Sequence, residues 1–132
     1  MPYLNVKLRA SVTPETSSEI ATVLTDLTAE VLRKKRELTA VAIEFVAADS
    51  WYIGGVHLDQ PSSTFFLEIK VTDGTNTKDE KSHYIKRVFD AMEGILGPLA
   101  PASYVVIHEV RADAWGYRGK TQEFRYVSGK AL

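Results

Sequence analysis

Two hydrophobic rhythms alternate along the chain, and the alternation runs through twice. Leu4, Val6 and Leu8 are interleaved with Asn5, Lys7 and Arg9. A period of two predicts a strand over residues 3–9 with one apolar and one polar face. The rhythm then lengthens. Ile20, Val23, Leu24, Leu27, Val31 and Leu32 recur at helical spacing. Thr13 is placed to cap that helix, Pro14 fits its first turn, and Glu15 meets the positive end of its dipole. The helix is expected to end near the basic run Arg33-Lys34-Lys35-Arg36, where positive charge suits the negative end of the dipole. Val41 to Val46, rich in β-branched and aromatic residues, predicts a second strand. Ala48 to Gly55 reads as a turn or hairpin, and His57 to Ser63, which contains Pro61, as a linker.

The same succession then restarts. Phe65 to Val71 predicts a strand. Thr77-Lys78-Asp79-Glu80 has the spacing of a capping box. Ile85, Val88, Phe89, Met92, Ile95 and Leu96 form an apolar helical stripe, and Gly97-Pro98 stops it. Tyr104 to Val110 predicts another strand, and the tail Gln122 to Val127 a short edge strand. Placed over residues 105–119 at a constant offset of 64, residues 41–55 match at seven of fifteen positions: Val, Ile, Val, Ala, Asp, Trp and Gly. The chain is therefore a duplicated β-α-β unit with a crossover helix in each copy. Strands within a unit should be parallel. The fold class is α+β: a four-stranded mixed sheet with two helices on one face, one domain over 1–132, with repeats at about 2–57 and 64–127. Two helices leave the other sheet face open. The strands read as too apolar for that face to sit in water, so oligomerisation is expected.

Composition narrows the function classes. The 132 residues are 45% apolar and 25% charged, with net charge −1 and no cysteine. Disulfides and thiolate metal sites are excluded. No global field favours nucleic acid or an anionic membrane, so neither is expected as a partner. The three histidines are far apart and lack ligand spacing. No stretch resembles a leader or a membrane span, and cytoplasmic residence is the expectation.

The candidate chemistry lies at the start, Met1-Pro2. If Met1 is removed, Pro2 carries a secondary amine held by its ring. In an apolar pocket the charged form of that amine is disfavoured, its pKa falls, and it becomes a general base near neutral pH. Proline in second position is also common without function. The duplicated unit tips the reading toward a base.

The duplicated β-α-β pattern, Pro2 and the turn Trp51-Tyr52-Ile53-Gly54-Gly55 together resemble the tautomerase superfamily, over nearly the whole chain to about Tyr117. The resemblance implies a trimer with a site at each subunit boundary, Pro2 as catalytic base or acid, and neither a metal nor an organic cofactor. Arginines of the short 4-oxalocrotonate tautomerases would fall at or near Val12 and Ala40, neither basic. Trp51 keeps the type of the aromatic residue before their glycine pair. In the branch of macrophage migration inhibitory factor, a lysine position corresponds to Arg36, a site tyrosine to Tyr104, and an asparagine to Val106. The implied activity is a keto-enol tautomerase or isomerase of a small 2-oxo or 2-hydroxydienoic acid. In it Pro2 moves the proton, Arg36 and Lys70 bind the carboxylate, and Tyr104 and Trp51 shape the pocket. Two alternatives stand beside it. One is proline-dependent hydration, dehalogenation or decarboxylation, for which Glu37 is the nearest carboxylate to steer water. The other is a binding oligomer without chemistry, which follows if Met1 is retained.

Each residue also has a structural reading. Arg36 can be a solvated cation at a helix end, Lys70 a solvated or interface strand residue, Tyr104 an ordinary strand tyrosine, and Trp51 a hairpin packing residue. His108, mid-strand, reads as structural. Asp49 and Asp113, matched across the repeat, read as turn residues.

Overall fold

A computed structural model of the chain describes residues 1–10, 13–58 and 62–129. Strand β1 (Tyr3–Arg9) leads into helix α1 (Pro14–Glu30), then β2 (Ala40–Phe45) and a hairpin of β3 (Tyr52–Ile53) and β4 (Val56–His57). The second copy follows as β5 (Thr64–Thr72), α2 (Lys78–Leu96), β6 (Tyr104–Val110), and the hairpin β7 (Gly116–Tyr117) and β8 (Lys120–Thr121). A last helix, α3 (Gln122–Ser128), closes the described chain. The sheet order is β2-β1-β5-β6. The outer pairs β1·β2 and β5·β6 are parallel, as the crossover helices require, and the central pair β1·β5 is antiparallel. The expected α+β architecture is present. The expected linker from His57 to Ser63 lies in part outside the described residues, as does Val12.

The start signals act as the sequence implies. The Thr13 hydroxyl accepts from the Thr16 amide, and Pro14 opens α1. At α2 the capping box is complete: Thr77 accepts from Glu80 N at 3.1 Å, and Glu80 accepts from Thr77 N at 2.8 Å. That backbone hydrogen bond is the main cause of a Glu80 carboxyl held below its ordinary range. Gly97, at φ 80, ends α2. Both hairpin turns use two left-handed residues, Gly54-Gly55 and Arg118-Gly119, which suits the twist of two-residue hairpins.

Three expectations are corrected. Helix α1 stops at Glu30, before the basic run. Lys34 N donates back to Thr28 O at 3.3 Å while Arg33 sits at φ 57. This closure turns the chain off the axis, so Arg33, Lys34 and Lys35 fall in a loop and Arg36 opens a short 3₁₀ turn. The tail is a helix, not an edge strand: Thr121 caps it by accepting from Phe124 N at 3.0 Å. The open sheet face is mixed rather than apolar. It carries Tyr3, Asn5 and Lys7 of β1, then Phe66, Glu68 and Lys70 of β5 and Tyr104 and His108 of β6, with His108 Nε2 at 3.1 Å from Glu68 Oε1.

The core lies between the other face and the helices. Leu4, Val6, Leu8, Phe65, Leu67, Ile69 and Val71 meet Ile20, Leu24, Tyr84, Val88 and Met92, all buried. One polar contact crosses it. Thr28 Oγ1 donates to Leu24 O at 2.7 Å, so the Tyr84 hydroxyl, 2.9 Å away, donates to Thr28. Burial pushes Tyr84 up to about 12 from 10.0. Below pH 10 the phenol is protonated folded or unfolded and stability is unaffected. Between about 10 and 12 only the unfolded chain loses the proton, so stability falls as pH rises. Tyr84→Phe should cost about 1–2 kcal/mol at neutral pH and flatten the decline in urea midpoint between those pH values relative to wild type.

Candidate functional site

Pro2 is buried at the head of β1, with its carbonyl accepting from Ala40 N at 3.3 Å. Beside it opens a cavity of about 420 Å³ whose walls include Glu37, Leu38, Lys70, Trp115 and Tyr117. The topology explains the company. Because β1 and β5 are antiparallel, Tyr3 pairs with Lys70, so the Pro2 end of β1 lies beside the C-terminal end of β5. There β6 ends and the second hairpin begins. Trp115 Nε1 donates to Thr72 Oγ1 at 3.1 Å, which fixes the indole against that strand end.

The same geometry separates the residues named from the sequence. Lys70 and Pro2 meet, and so does Glu37. Trp51 does not line this cavity. It follows β2, which runs parallel to β1 and therefore ends away from Pro2. Tyr104 opens β6 opposite Phe66, which pairs with Lys7, placing it roughly 17 Å along the strand direction from Pro2. It is 54% exposed, with its ring 6.1 Å from that of Phe66. Arg36 sits in the loop that supplies Glu37 and Leu38, but its guanidinium pairs with Asp26 of α1 at 2.6 Å. Tyr104, Trp51 and Arg36 are thus not brought to Pro2 within one chain.

A second cavity, of about 720 Å³, adjoins the first through Met1, Leu38 and Tyr117. It lies between the loop after α1 and the C-terminal segment. Glu123 N donates to Ala112 O and Gln122 N to Trp115 O, both at 3.0 Å, tying α3 back onto the hairpin. The Arg125 guanidinium stacks 3.8 Å from the centre of the Tyr117 ring and donates to the Tyr117 carbonyl at 2.8 Å. Sequence reasoning missed Trp115, Tyr117, Gln122 and Arg125. The repeat had already paired Trp115 with Trp51, and only the antiparallel contact of the two halves decides which of them faces Pro2.

The terminal amine is held below the ordinary amine range, first by burial and then by the charges of Lys34 and Lys35. Lys34 is itself lowered by burial, and its Nζ donates to Thr75 Oγ1 at 2.7 Å. Burial and two neighbouring cations thus bias the Met1 amine toward its neutral form. Among the described residues no group of three or more histidines and carboxylates is placed to hold a metal ion, and no helix is long and apolar enough to cross a membrane.

The family model described as Tautomerase enzyme matches twice, over residues 2–60 and 66–125. The likeness thus runs past Tyr117 into α3. No curated protein matches the chain. Several solved structures share the fold. A wild-type fused 4-OT symmetric trimer has a TM-score of 0.82 at 17% identity, covering 97% of this chain and 99% of its own. Pt0534, inactivated by 2-oxo-3-pentynoate, has a TM-score of 0.83 at 10% identity, covering 92% and 98%. The macrophage migration inhibitory factor-like protein of Entamoeba histolytica has a TM-score of 0.75 at 23% identity, covering 91% and 97%. With both halves matched by one family model, the chain belongs to the tautomerase family and carries its unit twice.

Proposed function

We propose that the protein is a cofactor-independent keto-enol tautomerase or isomerase of a small 2-oxo or 2-hydroxydienoic acid, acting through the amine of Pro2 once Met1 is removed. One observation carries the reading: the start of the chain is buried at a cavity, beside charges that favour a neutral amine. Removing Met1 places the amine on Pro2, at the head of β1 and on the wall of the cavity. The ring nitrogen takes a proton from the enol oxygen or a carbon and returns it to another carbon. The substrate's carbonyl holds the electrons in between. Lys70, on the wall of the cavity, attracts the carboxylate.

Arg36, Trp51 and Tyr104 belong to this reading as contributions at a boundary between copies. Fused 4-OT is a trimer, and we take this chain to form a homotrimer whose open, mixed sheet faces meet. Sedimentation equilibrium tests this directly, and a monomer would remove those three residues from the site.

Proline-dependent hydration, dehalogenation or decarboxylation is favoured by one feature, Glu37 on the wall of the Pro2 cavity, where a carboxylate could steer water. The pH dependence of kcat/KM separates the two. A basic Pro2 gives a rate that rises with pH as the amine loses its proton, with a midpoint below the ordinary value of about 8 for a terminal amine. An acidic Pro2 gives a rate that falls through the same midpoint. A falling limb alone would hand the site to the second reading.

A further inference from the structure

Trp115 reaches Pro2 from the least secure part of the fold. It immediately precedes the hairpin of β7 and β8, whose strands are two residues each, and such a ribbon is marginal by itself. Yet the half-buried indole lines the cavity beside Pro2, and a wall that drifts cannot orient a substrate. What holds the side chain is Thr72, whose hydroxyl accepts the indole N–H at 3.1 Å. Chemistry fixes the direction of that bond, because an indole nitrogen only donates.

Thr72 is a rigid anchor. It ends β5 and pairs with Val110 at the end of β6. Asp73 N donates to Val110 O at 2.8 Å, and the Thr75 hydroxyl donates to Thr72 O at 2.6 Å. Lys34 Nζ in turn donates to Thr75 Oγ1 at 2.7 Å. The acceptor thus stands on the braced end of the sheet, while the group it holds stands beside a ribbon. The bond also occupies the one donor of the indole, so the ring offers the cavity only carbon, a surface that suits a flat unsaturated chain. Without Thr72 the N–H would need another acceptor. Glu37, on the same cavity wall, carries an anionic one, toward which the ring would turn.

We propose that Thr72 is a positioning residue for the substrate: by accepting the Trp115 N–H it locks the indole as a wall of the Pro2 cavity, against which the unsaturated part of the substrate lies. The proposal deepens the reading of Pro2 as the reacting group and rests on it. The wall is present before and during proton transfer alike, so its loss shows in KM and not in kcat.

Turnover of phenylenolpyruvate and calorimetric binding of cinnamate, a flat acid with nothing to tautomerise, test this together. Thr72→Val keeps the shape and suits a strand end but lacks the acceptor. It should raise both KM and the Kd of cinnamate about five- to tenfold, the loss expected for roughly one hydrogen bond, with kcat within about twofold of wild type. Thr72→Ser restores the acceptor and should stay within about twofold of wild type in all three. The chain has two tryptophans. Of their indole N–H signals in a proton–nitrogen correlation spectrum, a single one should shift and exchange faster with water in Thr72→Val and return in Thr72→Ser. Trp115→Phe, which keeps an aromatic ring and removes the donor, should reproduce the loss, and it serves if Thr72→Val does not fold as judged by circular dichroism. The two substitutions combined should lose no more than either alone, because they remove one interaction. A wild-type protein that shows this pattern of cinnamate affinities without turnover would sink the tautomerase reading and leave Thr72 in its role. No cinnamate binding by wild type, unchanged binding in Thr72→Val, equal losses in Thr72→Val and Thr72→Ser, or additive losses in the double variant overturns the proposal.

Discussion

Pro2→Ala should lower kcat/KM for enol-to-keto conversion of phenylenolpyruvate and 2-hydroxymuconate by roughly 10²- to 10⁴-fold, the usual contribution of a positioned general base. The effect is large although alanine would also present an amine. A primary amine at position 2 rotates about its Cα bond, whereas the proline nitrogen is fixed by its own ring and by the buried start of β1. Orientation, as well as basicity, is therefore lost. Protein that retains Met1 should be inactive altogether, because an acylated nitrogen is an amide without a basic lone pair. Both forms should fold like wild type, since Pro2 O, the atom that bonds Ala40 N, is a backbone atom in each. Covalent labelling gives an independent readout. The electrophilic alkyne 2-oxo-3-pentynoate, which inactivates Pt0534, should add once per chain by conjugate addition of the Pro2 amine, with no leaving group. Peptide mass mapping of the trimmed protein should place the label on Pro2. Equal turnover in wild type and Pro2→Ala, or a label on another residue of the trimmed protein, would remove Pro2 from the mechanism.

What the sequence carried was everything set by neighbours in the chain. The alternation of Leu4, Val6 and Leu8, the capping box at Thr77 and Glu80, and the glycine stop at Gly97 are local, and each acts as read. The repeat gave the sheet its two halves. What it left open was which strands meet at the centre of the sheet, and in what register. The antiparallel pairing of β1 with β5 puts Trp115, not Trp51, beside Pro2 and sends Tyr104 to the far end of the sheet. Arg36 follows a helix that ends early, and within one chain its guanidinium pairs with Asp26 while Lys34 and Lys35 face the cavity. Helix α3 was obscured by Phe124, Tyr126 and Val127, whose side chains favour strands. Two features override that preference: the Thr121 cap and the clamp of Arg125 on Tyr117. Gln122 and Arg125, which line the larger cavity, were hidden by the same error, since only a helix puts them on one face.

The second hairpin is the joint on which this arrangement turns, and Gly116→Ala should break it. A Cβ at position 116 would run into the Lys120 carbonyl group, with the carbonyl carbon at 2.7 Å and the Thr121 Cα at 2.8 Å. These are backbone atoms of the paired strand, so no side-chain rotation relieves the clash. Ordinary overpacking costs about 1–3 kcal/mol, and the expected cost here is at the top of that range. A two-stranded hairpin is marginal by itself, and α3 is tied to it by Gln122 N on Trp115 O and by Arg125 on Tyr117. The segment from Arg111 onward should therefore detach as a unit while the sheet and its two long helices stay folded. Activity should fall at least tenfold through loss of the Trp115 and Tyr117 walls. Limited trypsin digestion should cut at Arg118 or Lys120 while the preceding core resists. Gly97→Ala is the control. It meets nothing within 4 Å but sits at φ 80, ψ −157, a conformation essentially confined to glycine, so it should cost about 1–3 kcal/mol in backbone strain. Its KM should match wild type, and its C-terminal segment should remain protected. If Gly116→Ala keeps wild-type kinetics and trypsin resistance, the second hairpin does not close over Pro2, and the walls assigned to the site belong elsewhere.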